Sequence, residues 1–301
     1  MISEIIALGN RIYDTSNHRE LHRMIVFIVR SWVHVSSMRK LIEFFEKDEP
    51  RRKIIAQYPF PIEQVTRAFF YAGSSFEDRL KLVCNHFKYL QKIMTEEWFI
   101  KINTDYHYKI WQSADDDINW RADLHIGPGQ RKEGLLAVNM FVDDITLYQI
   151  MFWLDYNKDG EISLWIGAMQ GPNVENAKEI IKETTKRAHR YRTKNLILYM
   201  TMAVARNMGC KHIYAVSNEG YYANNHVRKD RKLKTDFGAF WEEVGGHITH
   251  DKRFFEIPLI EERKTMEEVP TRKRAVYRKR FEFQDDVDEQ ITANLKKIII
   301  G

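Results

Sequence analysis

The chain has 301 residues, 44% hydrophobic, 13% aromatic and 30% charged, which excludes a largely disordered protein and leaves room for one large domain or two modest ones. Lysine and arginine number 47 against 42 aspartates and glutamates; so mild an excess suits an anionic ligand, a membrane face or nucleic acid and selects none of them. The two cysteines, Cys84 and Cys210, are too few and too far apart for a disulfide framework or a zinc site, and a reducing compartment fits them best.

Residues 1–14 lack the basic-then-apolar order of a signal peptide. The apolar run 24–29 is too short to span a bilayer and is flanked by Arg23 and Arg30. The expectation is a soluble cytoplasmic protein, with peripheral contact at the inner membrane left open. The first third reads as helical. Leu41, Ile42, Phe44 and Phe45 recur at helix spacing, as do Val65, Ala68, Phe69 and Ala72, and then Leu80, Val83, Cys84, Phe87 and Leu90. Tyr58-Pro-Phe-Pro61 breaks the pattern before the second of these helices. Residues 73–78 end it and start the third, with Ser74 or Ser75 as cap.

From about Trp98 the period becomes that of strands, over 104–113, 120–126, 135–142, 147–155 and 161–168. Turn signals fall at 115–117, 127–129, 143–144 and 157–160. Asn157-Lys-Asp-Gly160 between apolar runs predicts a hairpin, and the short turns predict an antiparallel sheet. Helices return over 174–189 and 194–208, the second closed by Gly209. A buried strand over 212–217, a polar stretch 218–234, a short helix 237–244, a strand 254–260 and a charged helical segment follow. The fold class is α+β. A helical region, 1–97, precedes a mainly antiparallel sheet with flanking helices, 98–264, and a basic/acidic C-terminal helical segment, 265–301.

The sequence contains no G-x-S-x-G, H-E-x-x-H or C-x-x-C. Residues 157–161 resemble a calcium loop without its full pattern, so no metal site is expected. At Gln170-Gly171-Pro172 the glycine either lets a ligand approach the backbone or makes an ordinary turn before a helix. In the basic turn 189–194, Arg192 and Lys194 at a helix start suit a phosphate, or are solvated cations. Glu133, at the mouth of a strand, is either a general base with a raised pKa or a surface charge. Asn218, Asn225 and His226 follow a buried strand, where ligand sites collect. His226 is either an acid–base group or a surface histidine. Residues 272–280 carry six cations in nine positions and either bind RNA, lipid headgroups or a phosphorylated ligand, or form a solvated face neutralised by 285–289.

Several stretches together resemble the VirK/YbjX family. They are Glu77-Asp-Arg-Leu80, Asn85-His86-Phe87, Lys132-Glu-Gly-Leu135, Ile166-Gly-Ala-Met-Gln-Gly171, Thr184-Thr-Lys186 and Arg192-Thr-Lys194. Asp236-Phe-Gly-Ala-Phe-Trp241 with Gly245-Gly246, and Lys273-Arg-Ala-Val-Tyr-Arg278, complete the set. Where this chain has Arg190 and Thr193 the family has Gly and Pro, and it has Tyr at Phe87 and Phe237. The resemblance covers nearly all of the chain beyond residue 40. It implies a Gram-negative bacterial protein linked to envelope traits: resistance to cationic peptides and surface placement of a virulence factor. The second half also resembles the Gcn5-related N-acetyltransferase fold, through residues 193–209 followed by 211–218. The Q/R-x-x-G-x-G/A loop of that fold is not matched in place.

That second resemblance implies an acyltransferase acting on an amine or hydroxyl acceptor, with acyl-coenzyme A or an acyl carrier protein thioester as donor. The pantetheine arm would run along Trp165, Gln170 and Gly171, with its phosphate end near Arg192 and Lys194 and with Asn218 beside it. Glu133 or His226 would take the acceptor's proton, and N–H groups near Gln170-Gly171 would steady the oxyanion. Such an enzyme predicts a pocket lined by Trp165, Gln170 and His226. The alternative is a non-catalytic accessory protein of envelope maintenance, binding a partner or the inner membrane, which predicts an exposed apolar or basic patch instead. Nucleic acid is disfavoured: Tyr221, Tyr222, Arg228, Arg231 and Tyr277 interleave rings and cations without a known motif. Oligomeric state has no sequence signature here.

Overall fold

The computed structural model describes residues 1–114, 117–127, 129, 131–224 and 236–300. Asp115, Asp116 and Pro128 of the predicted turns, and most of the polar stretch after 224, lie outside them. Seven helices come first: α1 (Ile2–Ile12), α2 (His18–Val33), α3 (Val35–Glu46), α4 (Glu49–Gln57), α5 (Phe60–Thr66), α6 (Phe76–Ile93) and α7 (Glu96–Ile102). The boundary expected near Trp98 falls inside α7. Local chemistry sets several helix starts. Asp48 accepts the Arg51 N–H at the head of α4, and Ser75 and Asp78 form a reciprocal capping box at the head of α6. Ser75 is thus the cap; Ser74 instead donates to the Phe69 carbonyl.

One helical expectation fails. The periodicity of Val65, Ala68, Phe69 and Ala72 does not carry a helix, because α5 stops at Thr66. Phe70 adopts φ +69°, its N–H donates to the Lys132 carbonyl, and its fully buried ring meets Trp153 edge-on. Tertiary contacts there outweigh one more helical turn.

The sheet comprises β1 (Tyr108–Gln112), β2 (Trp120–His125), β3 (Leu136–Val142), β4 (Ile145–Tyr156), β5 (Ile162–Gln170), β6 (His212–Val216), β7 (His247–Ile248) and β8 (Phe254–Ile257). Its order is β1-β2-β3-β4-β5-β6-β8-β7. Every neighbouring pair is antiparallel except β5 with β6. That parallel step needs a crossover, which α8 (Ala177–Arg187) and α9 (Thr193–Asn207) supply. The helix α10 (Phe237–Glu243) and the long α11 (Arg274–Leu295) complete the described elements. The predicted hairpin between β4 and β5 is present. Asn157 Oδ1 accepts the N–H groups of Asp159 and Glu161, and Gly160 takes φ +79°. Among the described residues no cluster of His, Cys, Asp or Glu is placed to hold a metal ion.

Alternation along β4 assigns the two faces. Asp155 accepts a hydrogen bond from Asn85 of α6, whereas Tyr148, on the opposite face, reaches Thr193 at the start of α9. The N-terminal helices therefore cover one face and α9 the other, with α11 packed on α9 and β1. A single core cluster joins α1 through α11.

The turn between α8 and α9 holds His189 and Arg190 at φ +50° and +62°. A side chain in this left-handed region costs about 1 kcal/mol relative to glycine. The contacts here belong to the backbone: Arg190 N–H donates to Thr185 O, and Arg280 donates to the His189 and Arg190 carbonyls. Arg190→Gly is therefore expected to raise stability by about 0.5–1 kcal/mol. A urea midpoint equal to or below that of the parent chain would contradict this.

Candidate functional site

The strand expected from Leu135 is present as β3, beginning at Leu136, but residues 131–134 before it do not extend it. The preceding chain instead crosses β4 and lies on β5. Gln64 Nε2 holds it by donating to the Arg131 and Gly134 carbonyls at 2.5 and 2.9 Å, and Arg131 pairs with Glu63 at 3.0 Å. Two glycines make the crossing possible. A Cβ on Gly134 would sit 2.6 Å from the Phe152 backbone nitrogen, and one on Gly167 would sit 1.9 Å from the Glu133 carbonyl oxygen. Gly167 is also the extra residue of a β-bulge, since Met151 pairs with Ala168 and Phe152 with Ile166.

This crossing buries Glu133, which is 2% exposed. Tyr221 Oη donates to its Oε1 at 2.6 Å and Gln170 Nε2 to its Oε2 at 2.7 Å. Burial outweighs both hydrogen bonds and pushes the carboxyl up to about 7. Burial and the adjoining Glu133 charge raise the Tyr221 phenol as well. Two residues singled out in the sequence, Glu133 and Gln170, are thus brought into direct contact.

A polar row leads away from this pair on the same face. Asp123 of β2 lies opposite Asn139 of β3, Asn139 opposite Gln149 of β4, and Gln149 opposite Gln170 of β5. Neighbouring strands are about 4.8 Å apart, so the row runs about 14 Å. Asp123 is flanked by His107 at 3.4 Å and Arg121 at 3.6 Å. Asn139 contacts His125 Nε2, and its buried Oδ1 has no partner among the described residues. Burial, then the stacked His107 ring 3.8 Å away, pushes His125 down to about 3, so it is neutral. Asp123, Asn139 and Gln149 were missed in the sequence. Their one signal is a polar residue inside an apolar strand, and register, invisible in a single chain, is what aligns them.

The remaining candidates do not converge here. Trp165 stacks between Trp153 and Tyr214, at 6.3 and 4.3 Å between ring centroids. It lines a cleft of about 510 Å³ with Tyr214, His247, Phe254 and Glu256, whose lining does not include Gln170. The pocket expected to join Trp165, Gln170 and His226 includes a residue, His226, that lies outside the described residues. The Trp165 and Gln170 side chains lie on one face but toward opposite ends of β5. Beside Gly171 lies the Tyr148 ring, 3.1 Å from where a Cβ would be. Arg192 forms an ion pair with Glu243, at the end of α10. Lys194 is 3.7 Å from the same carboxylate and lies over the Phe240 ring. Asn218 accepts the Phe237 N–H and donates to Asp236, fixing the start of α10. Asn225, His226, Arg228 and Arg231 lie outside the described residues.

The parallel pairing of β5 with β6 runs from Ser163–His212 to Ile166–Ala215, yet β5 continues to Gln170. Beyond Ile166 the strands part, and Glu133, Gln170 and Tyr221 gather at the opening, with the α9 start near Gly171 through Tyr148. These features define the class: an α+β sheet protein with a buried carboxylate of near-neutral pKa where two parallel strands separate. The chain belongs to the family described as "Protein of unknown function (DUF535)", which matches residues 16–293. It is similar to the uncharacterised protein YbjX of Escherichia coli K12, with 29% identity over 75% of this chain and 69% of that protein. An uncharacterised Haemophilus influenzae protein is 23% identical over 85% of this chain and 84% of its own length. The protein named "Membrane protein LapB" of Mannheimia haemolytica is 24% identical over 62% of this chain and 80% of that protein. No solved structure matches.

Proposed function

We propose that the protein is an acyltransferase that moves an acyl group from a thioester donor to a hydroxyl or amine acceptor, with Glu133 as general base. The observation that carries this reading is the buried Glu133 carboxyl, raised to about 7 and gripped by Gln170 and Tyr221 where β5 and β6 part. A base poised near the working pH accepts a proton and still releases it. The acceptor oxygen or nitrogen forms a bond to the thioester carbonyl carbon and its proton passes to Glu133. The C–S bond then breaks, and the departing thiolate takes up a proton.

The strand order supports the reading. An antiparallel set, one parallel step with its helical crossover, and β8 between β6 and β7 is the succession expected of the Gcn5-related N-acetyltransferase fold. The residues at the α9 start fit a pyrophosphate, because a helix start attracts anions and Arg192 and Lys194 already share one carboxylate there. The polar row from Asp123 to Gln170 suits the acceptor. Relatives in three bacteria, one of them named a membrane protein, favour an acceptor in or near the envelope.

Thermal melting with coenzyme A, acetyl-coenzyme A and long-chain acyl-coenzyme A tests the proposal, since a ligand bound only by the folded state raises the melting temperature. The expected result is a rise that disappears in Arg192→Ala with Lys194→Ala, whose side chains are 59% and 31% exposed, while the variant without ligand melts as the parent does. No rise with any thioester would move the reading to the second one, a non-catalytic accessory protein.

A further inference from the structure

The helix α2 is apolar on two sides. Its inner side gives Met24 and Phe27 to the core. On its outer side Leu21, Ile25, Val29 and Val33 recur every fourth residue, joined by Trp32, and none is covered. Ile25 is 53% exposed, Val29 54%, Trp32 62% and Val33 73%. A scatter of single exposed apolar residues is ordinary, but a contiguous stripe of this kind marks an interaction surface. At 100° per residue Arg19, Arg30 and Arg23 follow one another along the edge of the stripe.

We propose that α2 lies flat on an anionic lipid surface, with Ile25, Val29, Trp32 and Val33 inserted at the level of the headgroups and with its arginine edge on the lipid phosphates. The pattern is that of an in-plane helix: an apolar stripe, an aromatic ring at one end and a cationic margin. Arg23 pairs with the one acidic residue of the helix, Glu20, and Arg30 also donates to the Thr66 carbonyl; the cationic excess that remains, with Arg19 at its exposed end, favours a negatively charged surface over a second copy of the chain, which would set like charges against each other. The 16 residues of α2 extend about 24 Å, too short to span a bilayer, and no helix among the described residues is long and apolar enough to cross one. The stripe involves neither Glu133 nor the residues around it, so this inference does not depend on the catalytic reading.

The full chain is mixed with vesicles of phosphatidylcholine alone and of phosphatidylcholine with phosphatidylglycerol, and sedimented. Vesicles with brominated acyl chains report on Trp32. The expected result is binding to the anionic vesicles alone, weakened by salt, with quenching that Trp32→Phe removes. Ile25→Ser and Val29→Ser should each weaken binding roughly tenfold, and Arg19→Gln about fivefold. These positions are exposed, and circular dichroism with an unchanged melting curve verifies the fold; Trp32→Ser is the second apolar variant should one of them unfold. Absence of vesicle binding overturns the proposal, as do equal binding to neutral vesicles and binding indifferent to the stripe variants. Sedimentation velocity gives the remaining outcome. A dimer that Ile25→Ser converts to monomer, without vesicle binding, would assign the stripe to self-association and overturn the lipid proposal.

Discussion

Gly167→Ala is expected to destabilise the protein by about 3 kcal/mol or more, the upper range for forcing atoms into a packed interior. The new Cβ would fall 1.9 Å from the Glu133 carbonyl oxygen, with Trp153 at 3.0 Å on its other side. The obstacle is backbone, not the tip of a flexible side chain. Relief requires lifting residues 132–134 off the sheet, and these are tied by Gln64 and by the Phe70 N–H. The same displacement would pull Glu133 away from Gln170 and Tyr221, so any activity should fall along with stability. Urea denaturation measures the first effect; a midpoint within 1 kcal/mol of the parent, on a slope of about 1–3 kcal/mol per molar urea, would show that the crossing is not packed as described.

Glu133→Gln should have the largest effect on function and a distinct signature in pH. In the unfolded chain the carboxyl ionises near its model value of 4.5, and in the folded protein at about 7. A raised carboxyl pKa means that the folded state holds its proton longer. Stability is therefore greatest below pH 4.5 as far as this group is concerned, and it is lost as pH rises through 4.5 to 7. The size of the loss is about 3 kcal/mol, since one pKa unit corresponds to about 1.4 kcal/mol. The glutamine variant keeps the shape and the neutral charge and should lack this decline, becoming more stable than the parent above pH 7. In a thioester-transfer assay the same variant should lose about 10²–10⁴ in kcat/KM, and the rising limb near pH 7 should vanish with it. Parent and variant stabilities that run parallel from pH 4.5 to 8 would show that Glu133 is already ionised. A variant with full activity would remove it as base.

Glu133 is a buried carboxyl whose pKa burial raises more than its two hydrogen bonds and the nearby Lys132 charge lower it. Asp123 is comparably buried but has Arg121 and His107 beside it, which makes it a structural member of the polar row. Glu133 has two neutral donors instead, and neutral donors lower a carboxyl pKa less than burial raises it. Under the proposed acyl transfer, this contrast would place proton transfer at the Glu133 end of the row and leave the rest to the acceptor.

Much of the architecture was legible in the chain because it rests on local patterns. The alternating strands, the Asn157–Gly160 hairpin, Gly209 as helix stop and Ser75 as helix start all follow from side-chain period and turn chemistry acting within a few residues. Glu133, Gln170 and Gly171 could be picked out for the same reason: a carboxylate, an amide and a glycine stand at the ends of apolar runs. What the chain by itself determined was thus the α+β class, the order of most elements and a set of candidate residues. Only the tertiary structure decided that α5 stops at Thr66, that β5 and β6 run parallel and part beyond Ile166, and that residues 132–134 cross over the sheet before β3 begins. It also decided which candidates meet: Glu133 with Gln170 and Tyr221, while Trp165 turns to another cleft and Asn218 fixes α10. The physical reason is the same in each case. Strand register, backbone crossings enabled by Gly134 and Gly167, and the loss of water around one carboxyl are set by residues far apart in sequence. No periodicity within the chain encodes them.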